Sequence, residues 1–180
     1  MGWGILPVWS EKGSGVEERL QRLEDIEAIR QLKARYLNAC DTKDAQVLLD
    51  CFSPDEVDID YGHVGRFSSR EAFVDLFVQA AAFPFVLDMH HGANHEIEFQ
   101  GPQAATGRWS FDYRNVNTDA NTITLASGLY DDVYTKDKGR WTMRASRVTY
   151  KSAVHLVYTD ASIASVFAGE SVAGVVSYGD

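Results

Sequence analysis

Two cysteines in 180 residues are too few for a disulfide framework, and no Cys-x-x-Cys occurs. Cys40 and Cys51 both fall in stretches that read as helical and buried. A pair of reduced core thiols is therefore expected, which fits a reducing cytoplasm. Basic residues are also scarce: 17 Lys and Arg stand against 26 Asp and Glu, for a formal net charge of −9. With no cluster of Lys and Arg to offset it, such a chain repels phosphate backbones, so no nucleic-acid partner is expected. Apolar runs fall far short of the roughly 18 residues of a membrane span, so no membrane partner is expected either. No phosphate-cradling glycine loop and no Ser or Cys nucleophile motif occurs, and no cofactor is signalled. The opening "MGWGILPVWSEKGSG" lacks the basic and long apolar regions of a secretory signal, and Leu6 stands where myristoylation wants Ser or Thr. Residues 1–15 read as an arm, with Trp3 and Trp9 available to cover a neighbouring surface. A hydrophobic small molecule is the default ligand.

What is present is ordinary globular composition, 45% hydrophobic and 24% charged, at a length that suits one domain. From Val16 to Ala39, Leu20, Leu23, Ile26, Ile29, Leu32, Tyr36 and Leu37 recur every three or four residues, which predicts an amphipathic helix. Thr42 is the expected cap of a second, short helix that Ser53-Pro54 ends. "EVDIDYGHVGRF" alternates like a short strand pair around a glycine bend. "SSREAFVDLFVQAAAF" predicts a third helix capped by Ser68 or Ser69. Residues 86–99, 103–117, 121–136 and 140–155 then read as long strands separated by turns. Segregated helices followed by a meander give an α+β domain over 16–156. Residues 157–180 form a tail, either a lid or a contact with another subunit.

The candidate chemical residues each have two readings. Asp41 ends the first helix, either as a capping carboxylate or as one that orients a histidine. "DMHHGANHEIEF" holds three of the five histidines. On a regular strand His90 and Asn94 share one face, and His91 and His95 the other. His91 and His95 would lie roughly 13 Å apart, too far to share a metal. Trp109, Tyr61, Tyr130 and Tyr150 suit either sheet packing or the wall of an apolar pocket. Arg147 reads as a surface charge or as an inward electrophile, with Arg144 competing for that place.

"EDIEAIRQLKARYLNACDTKD", "DMHHGANHEIEFQGPQAATGRWSFDY" and "SGLYDDVYTKDKGRWTMRASRV", in this order and spacing, resemble the SnoaL-like branch of the nuclear-transport-factor-2-like (NTF2-like) superfamily. The resemblance covers roughly residues 20–155. Within it the pattern is similar to hexachlorocyclohexane dehydrochlorinase, bile-acid 7α-dehydratase and scytalone dehydratase. It implies an α+β barrel: a cone-shaped, curved antiparallel sheet packed on a long N-terminal helix and two shorter ones, with a deep pocket. "AIRQL" (Ala28 to Leu32) precedes Asp41 as it precedes the family's catalytic Asp, and the family's catalytic His, four before an Asn, selects His90 ahead of Asn94. Tyr36 holds a position that is Lys in the dehydrochlorinase and Tyr in the bile-acid enzyme. Arg147 lies near the family's late basic residue.

Those residues suit a β-elimination. Imidazole, with an unperturbed pKa near 6.5, is a fitting general base at neutral pH. Asp41 would fix its tautomer, Tyr36 would donate a hydrogen bond to an oxygen, and Arg147 would stabilise developing negative charge. The expectation is a cofactor-independent lyase, dehydrating or dehydrohalogenating a hydrophobic cyclic molecule, as a homo-oligomer (dimer or trimer). The same residues would serve an isomerase or cyclase. In a non-catalytic binding or assembly subunit they would merely satisfy one another.

Overall fold

In the computed structural model, residues 15–159 are described. The N-terminal arm and the lid or contact role of the tail lie outside them. Helix α1 spans Val16–Thr42, α2 Ala45–Asp50 and α3 Arg70–Ala81. Two short strands, β1 (Asp58–Asp60) and β2 (Arg66–Phe67), flank a 3-10 turn at Gly62–Val64. Four long strands follow: β3 (Val86–Gly101), β4 (Ala104–Asn117), β5 (Thr122–Asp137) and β6 (Arg140–Val157). The sheet order is β2-β1-β6-β5-β4-β3. The α+β architecture and the helix-backed curved sheet are those expected.

Two features differ from a closed antiparallel cone. β1 runs parallel to β6, with Ile59 opposite Ser146, so the sheet is mixed. Its edges, β2 and β3, do not pair, so it stays open. Curvature comes from irregularities in the ladders, between Ala93 and Glu96 in β3 and between Ser127 and Gly128 and between Val133 and Tyr134 in β5. At Gly128 a Cβ would lie 2.3 Å from the Thr149 carbonyl and within 3.0 Å of the Phe111 ring, so only glycine lets the strands approach there.

α1 is amphipathic, but its apolar stripe is covered only in part. Ile29, Leu32, Tyr36, Leu37 and Cys40 are buried, whereas Val16, Leu20 and Leu23 are exposed. The helix is about 40 Å long at 1.5 Å per residue, and its first turns are not covered as the later ones are. Asp25 marks where cover begins: it accepts from Lys136 Nζ (2.6 Å) and Trp141 Nε1 (2.8 Å), tying α1 to β5 and β6. α1 ends at Lys43, whose φ of 63° is left-handed. Because α1 runs through Thr42, that residue does not cap α2: its hydroxyl donates to Asn38 O, and Asp44 caps α2 by accepting from Val47 N. Ser69 caps α3, accepting from Ala72 N. Phe52, Ile59, Phe73, Trp141 and Met143 close the core between helices and sheet. Cys40 and Cys51 are both free and buried.

Candidate functional site

α1 and β3 meet closely. A Cβ at Gly92 would stand 2.9 Å from Leu37 Cδ1, a contact that a turn of the Leu37 side chain would relieve. One turn after Leu37, Asp41 faces His90. One carboxylate oxygen accepts from the His90 backbone N–H at 3.0 Å, and the other lies 2.6 Å from His90 Nδ1. The carboxylate thus grips the backbone and the ring of the same residue, which sets the imidazole's orientation. Its bond to Nδ1 selects the tautomer that leaves Nε2 as the basic nitrogen. Both side chains are 15% exposed. His90 lines a crevice of about 370 Å³ between α1 and β3, together with Lys33, Leu37, Gly92, His95 and Trp109. A larger hollow, about 620 Å³, is lined by Asp58, Asp60, Glu96, Glu98 and Arg147 and includes neither Asp41 nor His90.

Beside this pair lies a second cluster. Asp88 is ion-paired with Lys43 and accepts from Tyr113 Oη and Asn115 Nδ2, each at 2.7 Å. Burial pushes its carboxyl up, but the hydrogen bonds from Lys43, Tyr113 and Asn115, with the Lys43 charge, outweigh that and hold it below its usual range.

Under α1 runs a buried polar chain. Tyr36 Oη lies 2.7 Å from Tyr61 Oη, Tyr61 donates to Ser146 Oγ (3.1 Å), and Ser146 donates to Asp132 (2.7 Å). Since Tyr61 spends its proton on Ser146, Tyr36 is the donor to Tyr61. Asp132 also accepts from Tyr134 Oη (2.7 Å), which receives Trp109 Nε1 at 3.0 Å. Lys33 Nζ is 2.8 Å from Asp132, both side chains at most 1% exposed, without the alignment of a hydrogen bond. The ammonium stands 3.5 Å over the Tyr130 ring and 4.9 Å from that of Tyr36. Burial pulls the Lys33 ammonium below its ordinary value, against the opposing Asp132 charge. Burial likewise raises the phenols of Tyr36, Tyr61 and Tyr130, so they are neutral hydrogen-bonding groups and not bases.

The structure brings together Asp41 and His90, with Trp109 on the same crevice, whereas Tyr36, Tyr61 and Tyr130 belong to the buried cluster around Lys33 and do not line that crevice. Tyr150 is half-buried, its ring 5.9 Å from that of Phe111 and 4.9 Å from that of His63. It does not bring in Asn94 or Arg147. Asn94 has φ 50° within the bulge, and its exposed amide donates to Ser110 Oγ at 3.4 Å. The extra residue there breaks the alternation: His95, not Asn94, returns to the Trp109 side, its ring 4.9 Å from the indole. Arg147 is 58% exposed and pairs with Asp60 at 3.7 Å, because the neighbouring Ser146 takes the inward position on β6. Arg144 is exposed as well. Among the described residues no group of three or more His, Cys, Asp or Glu is arranged to hold a metal ion.

Sequence reasoning missed Lys33, Asp132, Ser146 and the Lys43–Asp88 pair. Two left a signal. Lys33 stands on the buried stripe, four after Ile29 and three before Tyr36, and Asp132 alternates in phase with Tyr130 and Tyr134.

A family model described as a SnoaL-like domain matches residues 21–147. Among solved structures, a hexachlorocyclohexane dehydrochlorinase (LinA) of type 2 is 20% identical, over 77% of this chain and 93% of that one, with a TM-score of 0.70. A candidate scytalone dehydratase from Novosphingobium aromaticivorans is 19% identical, over 86% and 97%, also at 0.70. A protein of unknown function from Mycobacterium tuberculosis, Rv3472 with one aspartate replaced by asparagine, is 24% identical over 76% of each chain, at 0.62. At these identities the likeness shows a shared fold, and the reaction has to be argued from the site.

Proposed function

Since this chain belongs to the SnoaL-like family, of the NTF2-like superfamily, we propose that it is a cofactor-independent lyase acting on a hydrophobic cyclic small molecule. The observation that carries the reading is the two-handed grip of Asp41 on the His90 backbone and ring. Nε2 takes a proton from substrate carbon. The C–H electron pair becomes the new double bond, and the bond to the leaving group on the neighbouring carbon breaks, that group departing with its pair as hydroxide or halide. Asp41 stabilises the imidazolium as it forms without itself taking the proton. Two of the similar structures, the dehydrochlorinase and the candidate dehydratase, carry names of this reaction class. An isomerase would use the same first step and return the proton to the enolate at another carbon; a cyclase would let the enolate carbon attack a carbonyl of the same molecule, the C=O pair becoming an alkoxide that takes the proton back from His90.

Tyr36 and Arg147 fit less simply. The Tyr36 proton is committed to Tyr61, so donating to a substrate oxygen requires that bond to be given up. This self-satisfied chain is the observation that favours the second reading, a binding or assembly subunit. The exposed Arg147, bound to Asp60, takes no part in the proposed step.

The test is turnover on a panel of chlorinated cyclohexanes and hydroxylated polycyclic compounds, with halide release and alkene formation as readouts. Asp41→Asn and His90→Ala are expected to lower any elimination at least about 100-fold, the scale of general-base catalysis. Elimination at the unaltered rate in His90→Ala would sink the lyase reading.

We also place the chain as a homo-oligomer in a reducing compartment. Leu87, Met89, Ile123, Leu125, Val154 and Leu156 occupy the outer side of β3, β5 and β6, and four of them are more than 40% exposed. Among the described residues no helix is long and apolar enough to cross a membrane. Leu125→Asp is expected to shift the sedimentation coefficient towards that of a monomer, and an unchanged coefficient would exclude this face as the interface.

A further inference from the structure

Lys43 stands two residues after Asp41, and Asp88 two residues before His90. The left-handed turn at Lys43 ends α1, and its ammonium reaches Asp88 on β3. Asp88, its side chain 4% exposed, also holds the Tyr113 hydroxyl at 2.7 Å. Tyr113 is the register partner of His90 on β4, and the two ring centroids are 4.6 Å apart. The end of α1 is therefore joined to β3 by two rungs, Asp41–His90 and Lys43–Asp88. Tyr113 bridges them, its hydroxyl bound to one and its ring lying on the other.

Titratable groups surround the imidazole on two sides: Glu27, Arg30 and Lys33 of α1 and His91 and His95 of β3 line the crevice with it, and a second set lies where α1 ends on β3. The end of α1 supplies Cys40, Asp41 and Lys43; β3 supplies Asp88; β4 supplies Tyr113, with Tyr150 of β6 beyond it. Burial pushes the Cys40 thiol up to about 12, and the Tyr113 and Tyr150 phenols are raised by burial too. These three are neutral at ordinary pH. Among this second set the charges that remain are two carboxylates and one ammonium. Without Lys43, Asp88 would add a second negative charge beside the ring.

We propose that Lys43 and Asp88 are positioning residues for His90: their ion pair fastens the end of α1 to β3 and cancels the charge of the second carboxylate, leaving Asp41 as the one uncompensated charge on the imidazole where α1 ends on β3. The catalytic meaning of this rests on His90 as the proton acceptor, whereas the electrostatic effect stands without it.

The experiment is a pH titration of the His90 imidazole by nitrogen-15 NMR, which needs no substrate. Four proteins are compared: the parent, Lys43→Gln, Asp88→Asn and the double variant. Lys43→Gln removes a cation and exposes Asp88, so the His90 midpoint moves up by about one pH unit. Asp88→Asn leaves Lys43 unopposed, and the midpoint moves down by about as much. In the double variant the midpoint returns to within about 0.3 of the parent. A purely structural role would not move the two single variants in opposite directions. Lys43→Arg keeps the charge and should titrate as the parent does, which guards against a Lys43→Gln protein that fails to fold. Unchanged midpoints, shifts of one sign in both single variants, or a Lys43→Arg protein displaced from the parent would each overturn the proposal. Opposed shifts in a protein without elimination activity would keep this pair and sink the lyase reading. Elimination without opposed shifts would do the reverse.

Discussion

Lys33→Met removes the ammonium 2.8 Å from Asp132 while keeping most of the side chain's length. Asp132 retains its hydrogen bonds from Tyr134 and Ser146, so its two oxygens are not stripped bare. It does lose its counter-charge at a site where it is 1% exposed. Removing one partner of a buried ion pair costs about 3–5 kcal/mol. The two surviving hydrogen bonds put the expected loss at the lower end, about 3 kcal/mol. For a domain of this length that is a fall of about 6–12 °C in Tm, at about 2–4 °C per kcal/mol. Lys33→Met/Asp132→Asn removes the stranded charge; the amide oxygen still accepts from one of the two hydroxyls, whereas the amide nitrogen, a donor, cannot accept from the other. Its loss should be about 1–2 kcal/mol, the scale of one unmet buried hydrogen bond and smaller than that of Lys33→Met alone. The assay is thermal and urea unfolding followed by circular dichroism. The pH dependence is a second handle. Burial, partly opposed by Asp132, lowers the Lys33 ammonium from its unfolded value near 10.4. Between the folded and unfolded values the unfolded chain holds the extra proton, so parent stability rises as pH climbs through that window. Lys33→Met lacks this rise. A Lys33→Met protein as stable as the parent, or a double variant less stable than either single one, would refute the reasoning.

Acid unfolding should report Asp88. Its folded carboxyl is depressed, so its contribution is present above the unfolded value near 3.9 and is lost as pH falls through the folded one. Asp88→Asn should flatten that limb of the stability curve, measured as Tm against pH from 2 to about 6. The two thiols should be inert in the native protein: burial raises Cys40 to about 12 and Cys51 to about 11. A chromogenic disulfide at about pH 8, below both values, should titrate neither thiol in the folded chain and both in urea; reaction of either in the native state would contradict their packing.

Much of the fold was legible because its signals are local. The three-and-four spacing over Ile29, Leu32, Tyr36 and Leu37 made α1, and the alternation over Trp109, Phe111 and Tyr113 made β4, each a pattern contained in a dozen residues. Turn chemistry at Lys138 and Gly139, both at positive φ, ended β5 within a residue of the expected place. Asp41 and His90 were legible through their family spacing, and the structure places them in hydrogen-bond contact. Asn94 was not, because alternation assumes a regular ladder and the bulge between Ala93 and Glu96 exchanges the faces after His90. Arg147 failed for a related reason: a register belongs to two strands, and Ser146 opposite Ile59 in β1 faces the interior.

By itself, then, the sequence determined the order and length of the elements, the α+β class and which helix face turns inward, since backbone geometry and side-chain period act over neighbouring residues. Only the tertiary structure decided which charges are buried together. Lys33 meets Asp132 across 99 positions of chain, and Lys43 meets Asp88 across 45. Burying either partner alone would be costly in a medium of low dielectric, so each member's place depends on the other having been brought there by the packing of α1 against the sheet.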